Sequence, residues 1–296
     1  MNCRKNTRFN LLAKTERMLS LYRKTNIDCS RIITRNYSTS FSMGILAFDK
    51  PYRDPIYAIY GFVRYADEIV DTFHEFDKKT LLEEFERDTW LALERGISLN
   101  PVLDAFQNTV NKYQIDKSLI AAFLKSMAMD LEDITYAEES YHTYIYGSAE
   151  VVGLMCLKVF CDGDENMYQQ LKESARSLGA AFQKVNFLRD IRDDYQNRGR
   201  TYFPNLNLGI ALDENSKKAI EADIEADFKA AYVGIMQLPK GSRLGVLTAY
   251  RFYKNLFNKI RKTDSNRILE ARIRISNTEK AALLMQTMIS SKLNLL

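Results

Sequence analysis

Proline and glycine are scarce in this chain, with 5 and 12 among 296 residues. So few turn formers leave room for few, short connections, which favours long helices over a many-stranded sheet. Cysteine is scarce as well. Cys3, Cys29, Cys156 and Cys161 show no CxxC or other ligand spacing and read as reduced thiols of a cytoplasmic protein. His74 and His142 are far apart and form no zinc pattern. GxGxxG and GxxxxGK[ST] are absent, so the usual dinucleotide and P-loop signatures are missing, and without GxSxG nothing points to a Ser-His-Asp site. The best apolar run, Val151 to Phe160, is short and interrupted by Lys158, so no membrane span is expected. A net charge of +4 is too small to imply nucleic acid. By elimination, chemistry in this chain rests on carboxylates.

What is present is an ordinary globular composition, 46% hydrophobic and 27% charged, with length enough for a sizeable core. Residues 1–17 are basic and weakly patterned, lack the layout of a signal peptide, and are read as a flexible N-terminal extension. Helical periodicity begins near Leu19, pauses at Asp49-Lys50-Pro51, and resumes from Pro55 to Phe73. It then covers roughly 78–95, 101–113, 116–135, 139–161, 164–197, 214–236, 241–262 and 276–294. No repeat, linker or low-complexity block divides these segments. Residues 18–296 are therefore expected to form one all-α domain.

Two constellations stand out. In YGFVRYADEIVD, Tyr60, Arg64, Asp67 and Asp71 follow one another at spacings of four, three and four, and so share one helix face. Taken alone, this is compatible with a solvated face carrying an ordinary Arg–Asp pair. In FQKVNFLRDIRDD, Asn186, Asp190 and Asp194 form a second stripe at four-residue spacing, surrounded by Phe182, Val185, Phe187, Leu188 and Ile191. Carboxylates on an apolar helix are costly unless cations or hydrogen bonds neutralise them. Two such rows facing each other suit a hard divalent cation, and Mg²⁺ prefers a few carboxylates plus substrate phosphate oxygens. Arg64 and Arg189 are placed to bind those phosphates.

The stretches YSTSFSMGI, YGFVRYADEIVD, YIYGSAEVVGLM and LGAAFQKVNFLRDIRDDYQNRGRTYFP, with YKNLFNKI and ARIRISNTEK, resemble the squalene/phytoene synthase family of head-to-head prenyl synthases. The resemblance covers about residues 28–285 and implies a single α-helical bundle with a central active-site cavity. It implies that Asp67 and Asp71 are the first metal-binding aspartate pair and Asp190 and Asp194 the second, with Asn186 as a further ligand. Arg64 and Arg189 would be diphosphate-binding arginines, Ser38 and Ser40 a hydroxyl pair near the first diphosphate, and Tyr60 and Tyr144 active-site tyrosines. Tyr253 and Arg272 match more weakly. Each also has a plain structural reading: Ser38 as a helix cap, Tyr144 and Tyr253 as core aromatics, and the GRTYFP segment as a helix stop at Pro204. Asp130 and Asp133 are read as structural. Two departures are visible: Glu150 stands where the family usually has glycine, and Asp67-Glu68 where many relatives have two aspartates.

The activity so implied is Mg²⁺-dependent (Mn²⁺ as the alternative) condensation of two geranylgeranyl diphosphates through a cyclopropylcarbinyl diphosphate to phytoene, with no nicotinamide cofactor. The alternatives are squalene or dehydrosqualene synthesis from farnesyl diphosphate, a head-to-tail prenyltransferase, and a non-catalytic helical assembly factor. Ile45 lies seven residues beyond Ser38, about 10 Å deeper at 1.5 Å per residue, and is expected to line the path of the prenyl tail. Residues 251–280 hold nine Lys/Arg against three Asp/Glu, from which reversible contact with anionic membrane is expected.

Overall fold

The computed structural model describes the backbone of residues 2–132, 138–198, 203, 213–268 and 272–292, with side chains for 14–132, 139–191, 203, 213–265, 267–268 and 272–291. Every regular element among the described residues is helical. In chain order these are α1 (Asn2–Tyr37), α2 (Thr39–Leu46), α3 (Lys50–Thr72), α4 (Lys78–Arg95), α5 (Pro101–Tyr113), α6 (Lys117–Met129) and α7 (Glu138–Ile145). A π-helical turn, Tyr146–Glu150, follows, then α8 (Val151–Cys161), α9 (Glu165–Arg198), α10 (Glu214–Ile235), α11 (Lys240–Arg261), α12 (Ser265–Ile268) and α13 (Asn277–Lys292). The backbone of residues 2–17, expected as an extension, continues α1.

Local chemistry sets the breaks. Ser38 leaves the helical region (φ −147°, ψ 106°) and its Oγ accepts from Phe41 N, ending α1 and capping α2. Asp77, Asn100, Asp116 and Asp213 cap α4, α5, α6 and α10 in the same way. Pro51 and Pro101 sit in first turns, where a missing N–H is harmless. Gly96 ends α4 with φ +70°, a conformation that glycine adopts without strain.

The core falls into two clusters. One joins α3–α6 and α8 around a stack of Phe62 on Phe106, centroids 3.8 Å apart, with Phe85 and Phe123 each 5.5 Å from Phe62. The other joins α7, α9, α10 and α11 around Phe187, Phe228 and Phe257. The helical run Glu139–Cys161, interrupted only by the π turn, corrects the reading that no segment suits a membrane. It is long and apolar enough to cross one, yet more than half of it is buried inside the bundle. Its apolar character is that of a helix whose larger part serves the core. The cysteines described, Cys29, Cys156 and Cys161, are free.

α9 carries the second aspartate row, and α10 holds it in register. Lys184 on α9 is buried, and its ammonium donates to Asp223 (2.5 Å) and Asp227 (2.8 Å) on α10. Burial works against the Lys184 charge, and the two carboxylates outweigh it and raise its pKa. Breaking a buried pair from one side leaves an uncompensated charge, so Lys184→Ala should cost roughly 3 kcal/mol. Urea unfolding checks this: a loss below about 0.5 kcal/mol, the size of a surface substitution, would mean the pair does not anchor α9.

Candidate active site

The first row lies on α3. The Arg64 guanidinium pairs with Asp67 one turn ahead and with Glu68, and its face lies 4.4 Å from the Tyr37 ring centre on α1. Burial opposes the charge on Arg64, and the two carboxylates overcome it and raise its pKa. Burial also acts to raise Glu68, but hydrogen bonds from Arg64, Thr72 and Tyr37 hold it below the usual carboxylate range. Arg64 Nε remains buried with no partner among the described residues. Asp71 is half-buried one turn further along α3.

The second row lies on α9. Arg189 donates to the neighbouring Asp190 (2.9 and 2.5 Å), and Arg272, from the segment before α13, donates to the same carboxylate at 2.9 and 3.2 Å. Asp190 is thus held between two guanidinium groups. Asn186, one turn earlier, donates from Nδ2 to Gln183 at 3.4 Å, and its Oδ1 is buried without a partner among the described residues. Asp194 belongs to α9, but its side chain lies outside the described residues, as do Asp133 and all of GRTYFP except Phe203.

Aromatic contacts run from the first row to the second. The Tyr60 ring lies 5.4 Å from Phe41. Phe41 lies 6.2 Å from Tyr253, which stacks on Phe182 at 3.9 Å. Burial pushes the Tyr60 phenol up to about 12, so it stays protonated near neutrality, and burial raises Tyr253 as well.

Two adjoining spaces complete the arrangement. An apolar cavity of about 270 Å³ runs among α2, α3, α8, α9, α10 and α11, with Tyr60, Asn186, Phe182 and Tyr253 in its wall and Ile45 and Phe48 among its apolar lining. Beside it is a polar pocket of about 290 Å³ lined by Ser38, Ser40, Arg189, Arg272, Arg274 and Lys280, again with Tyr253 in its wall. Ser38 is therefore both helix cap and pocket lining. Ile45 is 2% exposed and faces the cavity. Tyr144 lies apart from both spaces: its hydroxyl donates to the buried Asp130 carboxylate at 2.8 Å, within the second core cluster. Glu150, the departure from the family's glycine, pairs with Arg176 on α9 at 2.7 Å.

Three polar contributors escaped the sequence reading: Glu68, Arg274 and Lys280. Lys280, whose pKa burial lowers, donates to Thr39 Oγ1 at 2.7 Å, across 241 residues of sequence. A single sequence carries no signal for such a contact, although the basic excess in 251–280 pointed to the region. The donors Asp67, Asp71, Asp190 and the orphaned Asn186 Oδ1 are hard oxygens of the kind Mg²⁺ takes. No three Asp, Glu, His or Cys side chains among the described residues converge as a ready-made metal cage. Their chemistry is that of ligands to a cation that completes its shell with phosphate oxygens.

The profile of the squalene/phytoene synthase family matches residues 34–279. A phytoene synthase of Arthrospira platensis is 27% identical over 82% of this chain and 86% of its own. A 15-cis-phytoene synthase of Synechococcus elongatus is 27% identical over 85% and 89%. Chloroplastic phytoene synthase 1 of Zea mays is 28% identical, and this chain spans 61% of its length. Among solved structures, a dehydrosqualene synthase bound to ligand superposes with a TM-score of 0.77 at 20% identity, covering 91% of this chain and 98% of its own. A squalene synthase of Alicyclobacillus acidocaldarius gives 0.71 at 19% identity, with 82% and 95% covered. These two likenesses establish the all-α fold.

α13 delivers Lys280, and its start is fixed by Glu279. Hydrogen bonds from Lys259, then from the Ser276 N–H and hydroxyl, pull the Glu279 carboxyl down to about 2, against an ordinary value of 4.5. A folded-state value below the unfolded one gives stabilisation that is complete above about 4.5 and lost as pH falls through about 2. Hydrogen exchange in the first turns of α13 should show more protection in the wild type than in Glu279→Gln at pH 6, with the difference closing toward pH 2. A difference that persists at pH 2 would assign the effect to something other than this ionisation.

Proposed function

Because the chain belongs to the squalene/phytoene synthase family, a family of prenyltransferases, we propose that it condenses two geranylgeranyl diphosphates head to head, 1-to-1′, to phytoene. The observation that carries this reading is the position of Tyr253 in the wall of both the apolar cavity and the cationic pocket. A molecule with an ionised head and a long apolar tail fits both spaces at once.

In this reading, Arg189, Arg272, Arg274 and Lys280 attract the diphosphate, and the hydroxyls of Ser38 and Ser40 orient it. Arg64 Nε, buried and without a partner among the described residues, has a donor left for a phosphate oxygen. Asp67, Asp71, Asn186, Asp190 and Asp194 are the residues proposed to hold Mg²⁺ or Mn²⁺. When bound, the metal supplies positive charge against the departing diphosphate. The aromatic faces of Tyr60, Phe41, Tyr253 and Phe182 are within reach of an allylic cation and contribute roughly 0.5–2 kcal/mol each. The apolar wall keeps out water that would capture the cation as an alcohol. Tyr60, protonated near neutrality, serves as a neutral hydrogen-bonding group and not as a base.

Peripheral membrane contact belongs to the same proposal. Much of the basic excess in 251–280 turns inward: Lys254 and Arg261 pair with Glu225, Lys259 with Glu279, and Arg272 with Asp190. The outward features that remain are exposed Lys262, Arg267 and Arg274, and the exposed stripe Met285, Met288 and Ile289 on α13. An exposed apolar helix stripe and exposed cations are features that an anionic bilayer takes. Flotation with anionic vesicles should recover the protein at low salt and release it at high salt. Absence of binding at low salt would remove membrane contact from the proposal.

Two substitutions test the chemistry. Asp67→Asn and Asp190→Asn should each abolish turnover of C20 diphosphate with Mg²⁺ while circular dichroism and melting change little. A variant with wild-type turnover would take its residue out of the mechanism, and a wild-type protein that makes only a C15-derived product would replace phytoene by dehydrosqualene or, with NADPH, squalene. Ile45→Phe fills the cavity wall and should shift the C20-to-C15 ratio of kcat/KM toward C15 by roughly 10–200-fold. A fall in stability of roughly 1–3 kcal/mol with selectivity unchanged would make Ile45 a packing residue only.

A further inference from the structure

Beyond Ile45 along the chain, the cavity wall carries two aromatic rings, Phe48 and Phe160. Phe41 and Ile45 follow Ser38 on one face of α2, Phe48 follows just past its end, and all three line the cavity. Phe48 lies two residues past the end of α2, further along the chain from Ser38 than Ile45, and lines the same cavity. Its ring lies 5.2 Å from Phe160 of α8, whose other side meets Tyr52 at 5.9 Å, edge to face. The backbone beneath the ring is fixed. Arg53 donates to the carbonyls of Phe48 (2.8 Å) and Leu46 (2.9 Å), and Asp49 N donates to Gly241 O (2.9 Å).

The ring position depends on one glycine. A Cβ at Gly245 on α11 would lie 2.2, 2.3 and 2.8 Å from three atoms of the Phe48 ring, far inside van der Waals contact. The absent side chain at 245 is the space that lets the ring lie back against α11 and keeps the cavity open above it. Any side chain there pushes the ring toward the prenyl path.

We infer that Phe48, seated by Gly245 and backed by Phe160, is the end stop that sets the longest prenyl tail the cavity accepts. The inference rests on the reading that this cavity takes a prenyl tail. Phe48→Ala removes the stop and deepens the cavity, whereas Gly245→Ala drives the ring inward and shortens it. Opposite effects from Phe48, between α2 and α3, and Gly245, on α11, are not expected from general loosening of the core.

Calorimetric titration with the non-reacting S-thiolodiphosphate analogues of the C10, C15, C20 and C25 prenyl diphosphates, in Mg²⁺, reads this without turnover. Wild-type affinity should rise with each five-carbon unit up to a limiting length and fall beyond it. In Phe48→Ala the limit should move one unit longer, with at least a tenfold gain for the first analogue that the wild type rejects. In Gly245→Ala it should move one unit shorter. Phe48→Leu, a smaller perturbation of the core, should give an intermediate gain and serves if the alanine variant does not fold. A limit that stays put in folded variants, or a wild-type affinity still rising at C25, would overturn the end stop and leave the functional reading standing. A wild type that binds none of the four analogues would overturn the functional reading itself, and the end stop with it.

Discussion

Charge at the edge of an apolar cavity must be neutralised, and the site is built around that constraint. Asp190 is held by Arg189 and Arg272, and Asp67 and Glu68 share Arg64. Half-buried carboxylates left alone would be expensive, so arginines take the counter-ion position within the protein. Those arginines are also the groups suited to bind phosphate oxygens. Arrival of a diphosphate with its divalent cation allows a full exchange of partners, carboxylate to metal and guanidinium to phosphate, with every charge still paired. The orphaned Arg64 Nε and Asn186 Oδ1 mark where the protein alone falls short of complete pairing.

The cavity beside this charge cluster exists because small residues line its helices. Gly179 on α9 approaches so closely that a Cβ would lie 2.6 Å from the Ala149 carbonyl of the π turn, and Gly153 on α8 stands 2.7 Å from the Ala175 carbonyl by the same measure. Close backbone approach on that wall leaves room between it and α2 and α11, where Gly44 and Gly245 face each other across ordinary contact distances. Stability comes from the flanking clusters, where Phe62, Phe106 and Phe123 on one side and Phe187, Phe228 and Phe257 on the other are closely packed. A hollow centre is therefore supported by dense flanks, and the Lys184 bridge to α10 fixes the helix that carries the second row.

Helix boundaries were the most legible feature of the chain. The periodic segments 78–95 and 101–113 coincide with α4 and α5, because Asp77, Gly96, Asn100 and Pro101 are local signals that act alone. The π turn at Tyr146–Glu150 was invisible, since one widened turn barely disturbs a 3.6-residue pattern. At the site, the stripes of Arg64 and Asp67 and of Asn186 and Asp190 followed from spacing alone. Their pairing partners did not, because Arg272 reaches Asp190 across 82 residues and Lys280 reaches Thr39 across 241. Tyr144 shows the converse: its motif marked an active-site residue, whereas its hydroxyl is engaged by Asp130, a residue read as structural. Spacing reveals which residues share a face, and only packing reveals what that face meets.

The exchange of partners can be measured directly with Mn²⁺, whose free and bound forms are distinguished by electron paramagnetic resonance. Carboxylates already held by arginines should bind Mn²⁺ weakly by themselves. Inorganic diphosphate should raise the affinity at least tenfold, and Asp190→Asn should abolish that gain. Tight Mn²⁺ binding without diphosphate, or an affinity that diphosphate does not change, would contradict a site in which arginine, carboxylate, metal and phosphate trade places.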